Sequence, residues 1–297
     1  KRKGHSDRKD AKMNRHRWLL AILLLAVLLR VGVALYLGDT LTETRGGTYD
    51  QISYDALAQR VSAGHGFSFA ENHWPYARAN QPTAFWSYLY TLYLAGVYAV
   101  VGHSPLIARL FQAVVTGILT CWLLYRIGRR CFNPRVGLLT ALLAALYLYL
   151  VTYAAALMTE AFYIVGILWT VDVAMRLSER MAAPHAQPAP QLWGLALELG
   201  LAMSLTLLLR QVIIVFLAVL VCWLAWIAWR YNRVKQLAGV LLVAGLVLVL
   251  FLSPFVLRNY RTFGQLAMPN TNAGFTFFWS NHPIYGTRFE AVLSSEH

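Results

Sequence analysis

Residues 18–37 read WLLAILLLAVLLRVGVALYL, twenty positions of which only Arg30 is charged. A helix of this length spans about 30 Å, the thickness of the hydrocarbon core of a bilayer. Runs of the same kind recur at Leu106–Tyr125, Val136–Val151, Ala155–Met175, Leu192–Leu209, Val212–Trp229 and Leu237–Pro254. The chain is 58% hydrophobic and 13% charged, whereas about a quarter of the residues of a soluble domain are charged. We therefore expect an all-α polytopic membrane protein of about seven transmembrane helices.

The distribution of basic residues predicts the topology. The tail 1–17 and the loops 126–135, 176–191 and 230–235 are all basic. The positive-inside rule places all four in the cytoplasm only if an eighth apolar stretch, Thr83–Val101, does not cross the membrane. We interpret this aromatic-rich stretch as a re-entrant or interfacial helix. The same sorting argues against a nucleic-acid partner for the net charge of +13 and in favour of the lipid bilayer.

This topology divides the chain into three parts. They are a basic cytoplasmic tail (1–17), a transmembrane module (18–254) with a long extracytoplasmic first loop (38–105), and an extracytoplasmic tail (255–297). Loops of such length in a membrane protein usually carry function, so we expect the active chemistry on the outer side.

Within the first loop, residues 47–58 read GTYDQISYDALA and place the carboxylates Asp50 and Asp55 on a short amphipathic helix. Thr48 and Gln51 have the spacing of a capping box, and Gly64 is typical of a helix end. Asp50 then lies in the first turn, where the helix dipole favours its ionised form. Two interpretations stay open, a catalytic base and a helix cap.

Charged residues inside the spans are few and therefore informative. Glu160 lies one to two turns from the predicted outer surface, where an unpaired carboxylate costs several kcal/mol to bury. Arg210 stands at an outer turn between two spans. For Arg30 we expect snorkelling or pairing with a carboxylate, and for Asp172 and Glu198 a structural or interfacial position.

After the last span, residues 253–264 read SPFVLRNYRTFG. We expect Pro254 to end the helix, which would leave Arg258 and Arg261 at the outer interface. Arginines on this side run against the positive-inside rule, so we interpret them as ligands of an anion such as a lipid phosphate.

Taken in order, these motifs resemble the GT-C superfamily of polyprenyl-phosphate-sugar-dependent glycosyltransferases. Within it they are similar to the dolichyl-phosphate-mannose-protein mannosyltransferase-like branch, which includes glycosyltransferase family 39 and the aminoarabinose transferases. The motifs are Asp-x-x-x-Tyr-x-x-x-Ala from Asp50, an aromatic helix that a proline begins (Pro82), a Gly-Arg-Arg-x-Phe turn (128–132), Thr159-Glu160, Arg210, Pro-x-x-x-Arg-Asn-Tyr-x-x-Phe-Gly (254–264) and Asn-x-Gly…Asn-x-Pro.

The resemblance implies a GT-C-like bundle and assigns roles to particular residues. Asp50 corresponds to the catalytic aspartate of the first loop, and Glu160 to a second acidic position facing the same cavity. Tyr54, Arg258 and Asn259 correspond to substrate-binding positions. This chain has Asn80-Gln81-Pro82 where close relatives carry Glu-Lys before the proline, which leaves Arg78, Arg210 or Arg258 to bind the phosphate. Relatives usually continue into further spans, so the resemblance also implies that the 255–297 tail is truncated.

The implied reaction moves a sugar from a polyprenyl-phosphate donor to a hydroxyl of a protein or glycolipid acceptor, with Asp50 as general base and inversion at the anomeric carbon. A divalent metal, Mg or Mn, held by Asp50 and Glu160 and completed by His65 or His73, is compatible with the resemblance. The expected location is a bacterial plasma membrane, with the N-terminus in the cytoplasm.

Two other functions remain open beside the transferase. One is a catalytically silent, GT-C-like structural or accessory subunit with partner membrane subunits, which the truncated length and the missing lysine favour. The other is a transporter, which ranks last because the sequence has no internal repeat.

Overall fold

The computed structural model describes residues 3–41, 50–73, 77–183, 189–281, 283–284 and 286–287. In that part of the chain the regular structure is α-helical, with three isolated β-bridges between residues 68 and 82. The helices are α1 (Lys3–Leu37), α2 (Asp50–Ser62), α3 (Tyr88–Val101), α4 (Pro105–Cys131), α5 (Pro134–Leu146), α6 (Leu148–Ala155), α7 (Glu160–Ala182), α8 (Ala189–Leu209), α9 (Ile213–Arg230), α10 (Val234–Phe263) and α11 (Ala273–Trp279).

Six of these helices, α1, α4, α7, α8, α9 and α10, are long and apolar enough to cross a membrane. The bent pair of α5 and α6 would make a seventh span. The prediction of an all-α polytopic membrane protein is therefore confirmed, and the expected number of about seven holds when the bent pair counts as one. One apolar core joins α7, α8, α9 and α10, while α4 packs against α1, α5 and α7.

The stretch Thr83–Val101 forms a helix only from Tyr88 onwards, after Ser87 caps it by accepting a hydrogen bond from the Tyr90 N–H (3.3 Å). Fourteen residues make a helix of about 21 Å, too short for a hydrocarbon core of about 30 Å. This helix packs instead on α2, through a core that includes Tyr54, Leu57 and Leu94. The length of α3 thus agrees with an interfacial position.

The predicted topology can be tested with the protein's own Cys131, which is exposed at the end of α4. In a Cys222→Ser background, we expect a membrane-impermeant maleimide to label Cys131 only after the cells are permeabilised. A Glu71→Cys variant, with its cysteine in the first loop, should be labelled in intact cells. Labelling of Cys131 from outside would contradict the topology.

The predicted span Val136–Val151 is wrong in one respect, because it is two helices bent by 56° with Tyr147 between them. The break removes the helical partners of the last carbonyls of α5. Arg30 replaces them, donating from Nη2 to the Ala144 carbonyl (3.0 Å) and from Nη1 to the Ala145 carbonyl (3.4 Å). A Cβ at Gly117 would lie 2.9 Å from the Arg30 Cδ, so glycine leaves room for this side chain.

The expectation that Arg30 snorkels or pairs with a carboxylate is therefore wrong. Its side chain is buried, and within the described part of the chain its hydrogen bonds go to backbone carbonyls. Broken helices are tolerated at membrane depth when another group satisfies the freed backbone, and a guanidinium with several donors does so here.

The prediction that Pro254 ends the last span is also wrong, because α10 continues to Phe263 and ends at Gly264 with φ +69°. Proline has no N–H for the Leu250 carbonyl, but the Ser253 hydroxyl donates to that carbonyl (3.1 Å). Arg258 and Arg261 consequently belong to the last turns of the helix rather than to a flanking segment.

A group of ion pairs joins α4, α7 and α8 at the end of the bundle where α4 and α7 end. The Asp172 carboxylate, fully buried, accepts from Arg126 Nη2 (2.8 Å) and Arg176 Nε (3.0 Å). Arg176 also binds Glu198, which accepts from the Trp169 indole (2.9 Å). The structure thus agrees with the structural position expected for Asp172 and Glu198.

Removing the buried carboxylate should destabilise the bundle strongly. We expect Asp172→Ala to lower the free energy of unfolding by about 3–5 kcal/mol, because it removes the buried carboxylate that pairs with Arg126, Arg130 and Arg176. Glu179→Gln is the control, since the Glu179 side chain that binds Arg130 is 53% exposed and such pairs contribute about 1 kcal/mol or less. Denaturant unfolding in detergent micelles measures both. Equal stability of the two variants would contradict a structural role for Asp172.

Candidate functional site

Asp50 is the first residue of α2, in the first turn as the sequence predicts. The helix ends at Ser62, and Gly64 follows with φ +82°, as expected of a helix stop. Thr48, the other half of the proposed capping box, lies outside the described residues. Within the described part of the chain the Asp50 carboxylate accepts no hydrogen bond, and both interpretations of Asp50, a catalytic base and a helix cap, stay predictions.

Glu160 begins α7, five residues later than the predicted start of the span at Ala155. The residues between α6 and α7 form a turn that ends in Thr159. Arg210, which directly follows α8, forms an ion pair with the Glu160 carboxylate through Nη2 and donates from Nε to the Thr159 hydroxyl (2.8 Å). The turn and the end of α8 are thereby joined by a charged side chain.

Glu160 and Arg210 act electrostatically on Asp50. The pKa of the Asp50 carboxyl is raised, first by burial and then by the negative charge of Glu160, while the positive charge of Arg210 opposes the rise. A carboxyl with a raised pKa is a better proton acceptor when it is ionised. The fold therefore pairs Glu160 with Arg210 and couples both electrostatically to Asp50, which lies on a separate segment.

Tyr54 lies one turn after Asp50 on α2 and is buried in the core between α2 and α3. Its hydroxyl accepts from the Ser87 N–H (3.3 Å), and its ring packs edge-on against Tyr90. Burial and the nearby charge of Asp50 raise its pKa, so the phenol is neutral. The described contacts of Tyr54 fix α2 to the start of α3.

Arg258 and Asn259 meet the start of α3. Arg258 Nη1 donates to the Thr83 carbonyl (2.9 Å) and to the Tyr88 hydroxyl, and the guanidinium lies 5.2 Å from the centre of the Tyr88 ring. The buried Asn259 accepts from the Tyr88 hydroxyl (2.6 Å) and donates to the Met268 carbonyl (3.0 Å). Asn259 thus binds α3 and the segment after α10.

Arg78 lies exposed in the segment of isolated bridges that precedes α3. In the described part of the chain, no ion pair or side-chain hydrogen bond joins it to Glu160, Arg210 or Arg258. Asp55, the second carboxylate of the first loop, is buried and accepts from Tyr98 (2.6 Å) and Gln59 (2.7 Å) with His103 at 2.9 Å. Its contacts hold α2 against α3 and the start of α4.

The proposed metal site does not fit the described side chains. Among them, no group of three or more His, Cys, Asp or Glu residues lies close enough to hold a metal ion, so neither His65 nor His73 completes a site with Asp50 and Glu160. His73 instead bonds to the Ser53 hydroxyl (2.7 Å) and stacks on Phe69. Glu160 is paired with Arg210, whose positive charge opposes a cation.

Sequence reasoning missed the polar residues that support this site. Gln112 lies on α4 and Ser87 caps α3, where it also donates to the Leu208 carbonyl (2.9 Å) close to Arg210. Gln112 could have been found from the sequence, since an amide side chain within an apolar span needs a polar partner. Nothing in the sequence indicates the role of Ser87, because its partner lies 121 positions away.

Comparison with protein families gives a match to this chain. A family model described as dolichyl-phosphate-mannose-protein mannosyltransferase matches residues 86–257, more than half of the chain. The matched range contains Glu160 and Arg210, whereas Asp50 and Tyr54 precede it and Arg258 directly follows it. No curated protein and no solved structure matches the chain.

Proposed function

We propose a reaction for this chain from the premise that it belongs to the dolichyl-phosphate-mannose-protein mannosyltransferase family and is a membrane glycosyltransferase of the GT-C type. It transfers a sugar from a polyprenyl-phosphate donor to a hydroxyl acceptor on the extracytoplasmic side of the membrane. Asp50 is the general base. The observation that carries this proposal is the electrostatic coupling of the Asp50 carboxyl to the ion pair of Glu160 and Arg210.

In the proposed reaction the acceptor hydroxyl oxygen attacks the anomeric carbon and gives its proton to the Asp50 carboxylate. The bond between that carbon and the phosphate oxygen breaks with inversion, and its electron pair leaves with polyprenyl phosphate. Burial supports the role of Asp50, since a carboxylate removed from water has a raised pKa and holds the proton more firmly.

Arg210 is the arginine we propose to stabilise the departing phosphate. Its contacts to Glu160 and Thr159 use Nη2 and Nε, while Nη1 makes no hydrogen bond to a described residue. A guanidinium can bind two oxyanions at once, and the Glu160 pair fixes its position before the phosphate charge develops. Arg258 is a second candidate, since its hydrogen bonds to described residues use Nη1 and leave Nη2 and Nε for an anion.

The pH dependence of the reaction tests this arrangement. Asp50 must be ionised to accept a proton, so kcat/KM should fall as the pH drops through its raised pKa. Glu160→Gln removes a charge that raises this pKa and should move the acid limb to lower pH. Arg210→Met removes a charge that lowers it and should move the limb to higher pH. The measurement is kcat/KM as a function of pH, with membranes of each variant. If the acid limb stays at the wild-type pH in both variants, Asp50 is not the group that titrates.

A further inference from the structure

The turn between α6 and α7, residues 156–159, is bound by buried glutamines from two other helices. Gln112 of α4 donates through Nε2 to the Ala156 carbonyl (2.7 Å) and the Ala154 carbonyl (3.0 Å). Gln51 of α2 accepts through Oε1 from the Leu157 N–H (3.0 Å). This turn directly precedes Glu160, so its position decides where that carboxylate and its partner Arg210 stand.

Gln51 is the residue after Asp50, and its side chain is enclosed, with the residue 4% exposed. The same Oε1 atom accepts from Arg109 Nη2 (3.1 Å), and Arg109 Nη1 donates to the Gly38 carbonyl at the end of α1 (2.7 Å). One amide oxygen thus joins the helix that carries Asp50, the start of α4 and the turn that precedes Glu160. An amide oxygen has two lone pairs, and these two contacts use both.

We propose that Gln51 is a positioning residue, which fixes the α6–α7 turn and with it Glu160 relative to Asp50. The inference rests on the proposed function, because it states how the acidic groups of that site are held in place. The Leu157 N–H is buried and belongs to no helix. Its hydrogen bond to Gln51 avoids the free-energy cost of a buried N–H group without an acceptor. A shift of about 1 Å in a catalytic arrangement can cost about 100-fold in rate.

Three variants separate positioning from general damage to α2. Gln51→Met keeps the length of the side chain but has no acceptor, and we expect it to lower kcat by about 10- to 100-fold. Gln51→Glu keeps an acceptor for Leu157 and Arg109 and should restore most of the turnover at high pH. Gln59→Met is the matched control, since it makes the same change on the same helix and, among the described residues, removes a side-chain bond to Asp55 alone. Equal losses in Gln51→Met and Gln51→Glu would overturn the proposal.

A double-mutant cycle with Glu160→Gln tests whether Gln51 acts through Glu160. If it does, the loss in the double variant should be close to that of the more impaired single variant, because a displaced turn no longer presents Glu160 correctly. Losses in kcat that multiply in the double variant would show that Gln51 acts independently of Glu160 and would overturn the proposal.

Hydrogen exchange of the Leu157 amide gives a measurement that does not depend on activity. Protection should be lost in Gln51→Met and kept in Gln51→Glu and Gln59→Met. An inactive wild type with this pattern would refute the proposed function and leave the contact intact. An active wild type whose Leu157 amide exchanges equally in all variants would refute the positioning role of Gln51 alone.

Discussion

Asp50→Asn is expected to lower turnover by about 100-fold or more, the usual loss when a general base is removed. Asparagine keeps the shape of the side chain and its place in the first turn of α2 but cannot accept the proton of the acceptor hydroxyl. Binding of the donor lipid and the amount of protein in the membrane should change little. The assay is transfer of a labelled sugar from polyprenyl phosphate by membranes that contain either form.

Asp39→Asn is the matched control for this experiment. The Asp39 carboxylate accepts from the Leu106 N–H (2.8 Å) at the start of α4 through Oδ1, and the amide oxygen of asparagine can accept the same hydrogen bond. Its activity should therefore equal that of the wild type. If Asp50→Asn also transferred sugar at the wild-type rate, Asp50 would not be the general base. An inactive wild type with every donor tested would favour the accessory-subunit function.

Arg210→Met should reduce kcat by about 100-fold, because it removes a charged donor from the position where the phosphate charge develops. It also leaves Glu160 without its ion-pair partner, so some of the loss arises from an unpaired carboxylate. Arg210→Lys keeps the charge but cannot bind Glu160, Thr159 and an anion together, and it should recover only part of the rate.

Single-turnover transfer at saturating donor measures the chemical step for each arginine variant. Arg135→Met, which removes an exposed cation at the opposite end of α4 and α5, is the control and should transfer sugar at the wild-type rate. If Arg210→Met raised KM for the donor and left kcat unchanged, Arg210 would bind the donor equally in the ground and transition states. That result would move the assignment of the phosphate-stabilising cation to Arg258.

The sequence contains enough information to find the membrane-spanning part of the chain. Apolar length locates the candidate spans, because a bilayer requires a helix of about 20 apolar residues and offers the backbone no water. The distribution of basic residues then sets aside the eighth apolar stretch, Thr83–Val101. The sequence also predicts α2 with Asp50 in its first turn, because helix capping and helical periodicity depend on neighbouring residues. The prediction fails at Tyr147 and at Pro254, where side chains satisfy backbone carbonyls, Arg30 from another helix and Ser253 from the adjacent position.

The candidate site likewise contains residues that the sequence singles out and contacts that only the tertiary structure reveals. Asp50, Glu160 and Arg210 stand out in the sequence because charges in or beside apolar segments are costly and therefore rare. That Arg210 pairs with Glu160, 50 positions away, depends on how the end of α8 lies against the start of α7. Gln51 and Arg109 gain their significance only from packing, since one amide oxygen meets an arginine 58 positions away and a backbone N–H 106 positions away. Local patterns thus determine which segments become helices and which residues are unusual, while tertiary packing decides which polar groups meet, because hydrogen bonds and ion pairs act only over a few ångströms.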